Sequence, residues 1–196
     1  MPRKKSVKKS ARDFLRATKK IDIFLNVVSL KQSDEHISWL HNYAIIYLYR
    51  EFESLILDAL VGAINNDIST ISSTTNVNFP AHLSAEVCEF LITGTGYFDF
   101  KGRDGLIKTL KKFIPDNHYL IKALKNPVYR DALEQLTALR NFSTHESRKS
   151  KRDALKAIKL ARIDSSGAWL KKNGRFQMII GCLNDLASEI SRTAPY

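Results

Sequence analysis

From Ser33 to about Asn65 the chain repeats apolar residues at a helical period, and it does so on two faces at once. Ile37, Leu40, Ala44, Leu48, Phe52, Leu55 and Ala59 form one stripe, and Ile45, Tyr49, Ile56 and Leu60 cover a neighbouring one. Ser33 followed by Asp34 and Glu35 is a helix start, with a hydroxyl cap and acids at the positive end of the helix dipole. A helix apolar over so much of its circumference has to be enclosed by others. The segment therefore predicts the central helix of an all-α bundle.

The remaining periodic segments agree. Phe14, Ile21, Leu25 and Val28 predict a first helix over about 11–30, and Phe176, Ile179, Leu183, Leu186 and Ile190 predict a last one. Between them, 65–80 (NNDISTISSTTNVNFP) is polar and without a period, and reads as one long polar loop. A shorter helix is expected at about 81–93, then an ordered glycine and aromatic loop at 94–105. A helix restarts after Asp104 and stops at Pro115. Asn126-Pro127 is a helix start with asparagine as cap and proline in the first turn, and Ser150 reads as a further cap. No internal repeat and no convincing strand emerges. The 196 residues suit one well-buried domain.

Charge is distributed in blocks. Residues 1–20 hold nine Lys/Arg against Asp13, and 140–175 hold eleven against three acids, while 21–139 are net acidic. Residues 1–20 thus form a basic N-terminal extension, either a solvated tail or part of the first helix, ahead of a single helical domain at 21–196. Basic surfaces of this kind favour a polyanion, with RNA or DNA first. The longest apolar run, Ala44–Tyr49, is far too short to span a bilayer, and no hydrophobic signal core opens the chain. The expectation is a cytoplasmic protein with no membrane partner. Cys88 and Cys182 have no metal-ligand spacing and read as buried free thiols rather than a disulfide. No metal or cofactor is expected.

The anomaly lies at 136–146, LTALRNFSTHE. With Leu136 at zero on a helical wheel, Tyr129, Ala132, Leu133 and Leu139 fall within about 60° of it, and so does Arg140 at about 40°. A guanidinium stays charged, so this position requires a carboxylate, a phosphate-bearing ligand or a wet interface. His145 falls at about 180°, on the opposite side of a straight helix. Either the helix bends near Phe142–Thr144, or Arg140 and His145 of two copies cooperate across a dimer. Glu53 mirrors Arg140 on the central helix, a carboxylate set among Tyr49, Leu57, Ile46 and Leu60. It either orients Arg140 or pairs with Arg50 at i,i+3 on a solvated edge.

LRNFSTH resembles the signature of the HEPN superfamily, an arginine and a histidine four to six residues apart with a polar residue after the arginine. The match is Arg140, Asn141 and His145, in a late helix of an all-helical chain whose early helix carries REFESLILDAL. The similarity spans roughly residues 35–190 and suggests an abortive-infection type. It implies a HEPN-like helical bundle and metal-independent RNA cleavage by a toxin or antiviral defence effector, at a composite site formed where two motifs meet across a homodimer. On that resemblance His145 would be the general acid or base at the ribose 2′-hydroxyl or the leaving oxygen. Arg140 would stabilise the transferring phosphate, and Asn141 would position the backbone or histidine. The basic run Arg148, Lys149, Lys151 and Arg152 would hold neighbouring phosphates. Partners would be RNA, a second copy, and an antitoxin or defence-system protein.

Two other readings stand beside it. The chain is alternatively a non-catalytic helical module that binds nucleic acid or a partner protein. Or Arg140 cements a dimer interface and His145 is incidental. GTGYFDFKG contains G-x-G but follows no strand, so it reads as a structural loop, with Tyr97, Phe98 and Phe100 either stacking on bases or packing at the core edge. His36, His41, His82 and His118 read as surface or capping residues, and Trp39 and Trp169 as core or interface packing.

Overall fold

A computed structural model of the chain describes residues 5–195, and these are all-helical, with no strand among them. The helices are α1 (Val7–Ser29), α2 (Asp34–Asn66), α3 (Ser69–Thr75), α4 (Ala85–Thr93), α5 (Gly102–Leu110), α6 (Tyr119–Lys125), α7 (Arg130–His145), α8 (Arg148–Ile158), α9 (Ser166–Leu170) and α10 (Arg175–Thr193). A 3₁₀ turn, Pro127–Tyr129, leads into α7.

α2 is the axis of the bundle, packed by α1, α4, α7, α9 and α10. Ser33 caps it by accepting from the His36 N–H at 3.2 Å, as its sequence predicts. Ile45, Leu48, Phe52, Ile56, Leu60 and Ile64 on α2 are wholly enclosed. Gly167 sits where α9 crosses α2: a Cβ there would run into the Ser38 carbonyl, so only glycine permits the approach. Its N–H donates to the Asn42 side-chain oxygen at 2.6 Å, and Ser143 of α7 donates to the same oxygen at 3.2 Å. One asparagine of the central helix thus ties down both α9 and the end of α7.

Several boundaries differ from the sequence expectations. The basic extension is structured from Val7 onward, because Val7, Ser10, Ala11, Phe14 and Thr18 turn inward and bury a face of α1. Residues 1–4 of that extension lie outside the described residues. The polar loop at 65–80 is interrupted by α3. Ile71 is buried there, the Asp67 carboxylate accepts from the Ser69 N–H at 2.9 Å, and the Thr74 and Thr75 hydroxyls satisfy their own turn. α6 was not visible in the periodicity. Its seven residues are capped by the His118 ring, which accepts from the Leu120 N–H at 3.3 Å. The cap of α8 is Ser147 rather than Ser150; Ser150 is three residues on and returns the bond to the Ser147 N–H at 3.0 Å, completing a reciprocal capping box. His41 is neither surface nor cap. It is buried, with its ring edge-on to Phe176 and Nδ1 donating to the Ile37 carbonyl at 2.8 Å, and burial holds it below the usual histidine range. Trp39 is half-exposed rather than part of the core, and Phe98 and Phe100 pack at the core edge.

Candidate functional site

Arg140 lies three turns into α7, a helix that continues unbroken through Phe142–Thr144 to His145. Leu136 and Leu139 beside it are fully buried, yet Arg140 itself is only partly so. Its long stem leaves the core stripe and lays the guanidinium over the ring of Tyr49 on α2, with Cζ 4.6 Å from the centroid. Nη1 donates to the Asn141 side-chain oxygen at 2.9 Å. Asn141 therefore holds the arginine, and among the described residues no hydrogen bond joins it to His145.

Tyr49 is the hub of this cluster. It is buried, and its hydroxyl donates to the Phe100 carbonyl at 3.2 Å and reaches an Asp99 oxygen at 3.3 Å, both in the glycine and aromatic loop. Burial, with Glu53 and Asp99 nearby, raises the phenol well above its usual range. Glu53 is one turn further along α2 and half-buried. Burial pushes its carboxyl up to about 7, Arg140 pulls in the opposite direction, and Asp99 adds to the rise. The expected neighbourhood of Glu53 and Arg140 is present, as an electrostatic one without a direct ion pair. The alternative pairing of Glu53 with Arg50 is absent, because Arg50 bonds Glu51 at 3.2 Å and stacks on Tyr47. Among the described residues no ion pair joins Arg140 to a carboxylate. A cation is thus held in a partly dry cleft by an aromatic face and a neutral amide. That arrangement leaves its outward N–H groups to an anion from outside the chain.

His145 is elsewhere. It is the last residue of α7 and exposed, and the helix ends beyond it with Glu146 in the left-handed conformation (φ 44°). The Thr144 hydroxyl returns to the Arg140 carbonyl at 3.0 Å, inside the helical ladder and without breaking it. With α7 continuous, Arg140 and His145 remain about 140° apart on its surface, and among the described residues no hydrogen bond or ion pair joins them.

Two residues after the end of α7, α8 opens with Arg148, Lys149, Lys151 and Arg152, all exposed and none in an ion pair among the described residues. No acid occupies its first turn. Four cations at the positive end of a helix dipole raise the local potential rather than neutralise it, and His145 lies at that corner. Between α5, α7 and α8 runs a groove of about 800 Å³ lined by Asn141 and Lys149 at one end and by acids and bases of both signs elsewhere. Among the described residues no group of His, Cys, Asp and Glu is placed to hold a metal ion, and no helix is long and apolar enough to cross a membrane.

Arg140, Asn141 and Glu53, singled out from the sequence, lie in one cleft, whose further members the sequence did not disclose: Tyr49 as the seat of the guanidinium and Asp99 as the second carboxylate. The Tyr49–Glu53 spacing was the available signal for the first. Compared with known protein families, with curated proteins and with solved structures, the chain matches none.

Proposed function

We propose that the protein is an endoribonuclease of the HEPN kind, cleaving RNA without a metal at a composite site of Arg140 and His145 from two copies, and serving as a toxin or antiviral defence effector. The observation that carries the proposal is the placement of Arg140: a permanent cation, stacked on Tyr49, steered by Asn141 and, among the described residues, in no ion pair with a carboxylate. A transferring phosphate is the ligand whose charge and bidentate geometry suit that fork. The exposed cations that open α8, next in sequence to His145, support a polyanion that continues past the reacting phosphate.

The chemistry follows from these groups. The ribose 2′-oxygen attacks the adjacent phosphorus while His145 accepts the hydroxyl proton, and the P–O5′ bond breaks as the leaving oxygen takes a proton from water, leaving a 2′,3′-cyclic phosphate and a 5′-hydroxyl. Arg140 stabilises the charge gathering on the non-bridging oxygens. Its separation from His145 along an unbroken α7 requires the second copy, since one chain presents the two groups on different sides.

That same separation supports a second reading, a non-catalytic helical module that binds nucleic acid or a partner protein. Cleavage of RNA in EDTA by wild type, Arg140→Ala and His145→Ala, with folding checked by circular dichroism, decides between them. The endoribonuclease loses activity in both variants. The binding module gives no product from any of the three while still retarding RNA.

A further inference from the structure

α1 and α2 are joined by 30–33 and run antiparallel, with the Phe14 ring edge-on to Phe52 and the Ser10 hydroxyl donating to Asp58 at 2.8 Å. On the outer side of this hairpin a groove of about 580 Å³ opens between the two helices. Ile21 and Ala44 are its buried floor, Leu40 and Ile46 its half-buried sides, and Phe24, Tyr43 and Tyr47 its walls, exposed at 54%, 74% and 43%. Three large rings left in water around an apolar floor mark a surface built for an occupant.

The rest of the lining is Lys20 and Arg50, and no acid is part of it. Antiparallel packing gathers these two cations at one end. Lys20 is the lining residue of α1 furthest from the 30–33 turn, and Arg50 is that of α2, whereas Phe24 and Leu40 lie at the end nearer the turn. Among the described residues Lys20 has no ion pair. Arg50 gives Nη2 to Glu51 at 3.2 Å and lies over the Tyr47 ring, with Cζ 4.3 Å from the centroid. A pair as exposed as Arg50–Glu51 is weak, and Tyr47 keeps the guanidinium beside the groove it walls. A cavity of a few hundred Å³, apolar over most of its lining with polar groups gathered at one point, has the form of a small-molecule site. From Leu40 to Arg50 it runs about 15 Å along α2, the reach of an extended dodecyl chain.

We propose that this groove binds one anionic amphiphile, a medium-chain fatty carboxylate, with its alkyl chain along Phe24, Tyr43 and Tyr47 and its carboxylate between Lys20 and Arg50. The chain takes ring and floor surface out of water, and the carboxylate accepts charge-assisted hydrogen bonds from both cations. Nucleic acid does not suit the groove, because its phosphates repeat along the strand and the cations here stand at one end only. The inference uses neither Arg140 nor His145, and stands whether or not the chain cuts RNA.

The test is equilibrium dialysis of the full chain against radiolabelled dodecanoate, kept below its micelle-forming concentration, for wild type, Lys20→Gln and Tyr43→Asp. Unlabelled dodecylamine, the same chain with the opposite charge, serves as competitor. Lys20 and Tyr43 are exposed, circular dichroism checks folding, and Phe24→Asp stands in if Tyr43→Asp does not fold. The expected result is one dodecanoate per chain, with the dissociation constant raised about 10-fold in Lys20→Gln and at least about 10-fold in Tyr43→Asp. Dodecylamine competes at least about 10-fold less well than unlabelled dodecanoate. Absence of binding to wild type overturns the proposal, as does binding that either variant leaves unchanged, or dodecylamine that competes equally well. Pelleting with vesicles of equal phosphatidylglycerol and phosphatidylcholine separates a bilayer from a free ligand. Wild type that pellets with the vesicles and binds no dodecanoate assigns the face to a membrane surface and overturns the groove.

Discussion

The Arg140 guanidinium lies 4.6 Å above the centroid of the Tyr49 ring, and this stacking, rather than an ion pair, holds a charge beside the core. The tyrosine hydroxyl has a separate task, tying α2 to the loop through the Phe100 carbonyl and Asp99. The two roles separate by mutation. Tyr49→Phe keeps the aromatic face and loses the hydroxyl bonds, costing about 1 kcal/mol of stability with Arg140 still in place. Tyr49→Ala removes a buried ring and the seat of the guanidinium, costing about 3–5 kcal/mol. Chemical denaturation measures both, and equal losses in the two variants would contradict the division of roles.

Glu53 makes stability depend on pH in a direction opposite to most carboxylates. Its folded-state pKa of about 7 lies above the usual 4.5, so the folded protein keeps a proton that the unfolded chain has released. The stabilisation from this group is complete below pH about 4.5 and disappears as pH rises through about 7. Glu53→Gln removes the titration, so the melting temperature of the variant gains on wild type between mildly acidic and mildly alkaline buffer. Melting curves that run parallel over that range would show that Glu53 does not feel the burial described above.

The close crossing of α9 and α2 is the least forgiving contact in the fold. Gly167→Ala drives a methyl into the Ser38 backbone and displaces the N–H that Asn42 accepts, so a loss of about 3 kcal/mol is expected. Asn42→Ala leaves the Gly167 N–H and the Ser143 hydroxyl without their acceptor, a loss of about 1–3 kcal/mol. Urea titration gives both values; a neutral Gly167→Ala would mean that α9 does not pack as described.

The α8 cations act on affinity through salt. Lys149→Gln and Arg152→Gln each remove one exposed positive charge from the corner beside His145. Each change lowers the slope of log affinity for RNA against log salt by about 1, without altering the melting temperature. Slopes unchanged from wild type would place the RNA on another surface.

How much of this the residues disclose depends on the range of the interactions. α2 was readable from Ser33 to its end because cap, dipole acids and apolar stripes are all local, and α10 follows the same logic. α3 and α6 have seven residues each, too few for a period to register; α3 is held by burying Ile71, and α6 by Leu120 and Leu124 where it packs on α5 and α10. Arg140 stood out because a charge on an apolar stripe breaks a local rule. Asp99 did not, because an acid in a glycine loop is unremarkable until the loop folds back onto Tyr49. Ser147 and Ser150 are three apart and both plausible caps, and only the geometry of the turn after His145 separates them.

The central claim is that Arg140 and His145 of two copies break RNA through its own 2′-hydroxyl. The most direct measurement is the chemical form of the product ends, read by mass spectrometry after incubation of a short RNA with wild type and with His145→Ala in EDTA. The expected products are 2′,3′-cyclic phosphate and 5′-hydroxyl ends from wild type, with at least about 100-fold less product from the variant. Intact RNA with wild type, or cyclic phosphate ends formed equally fast by the variant, would contradict it.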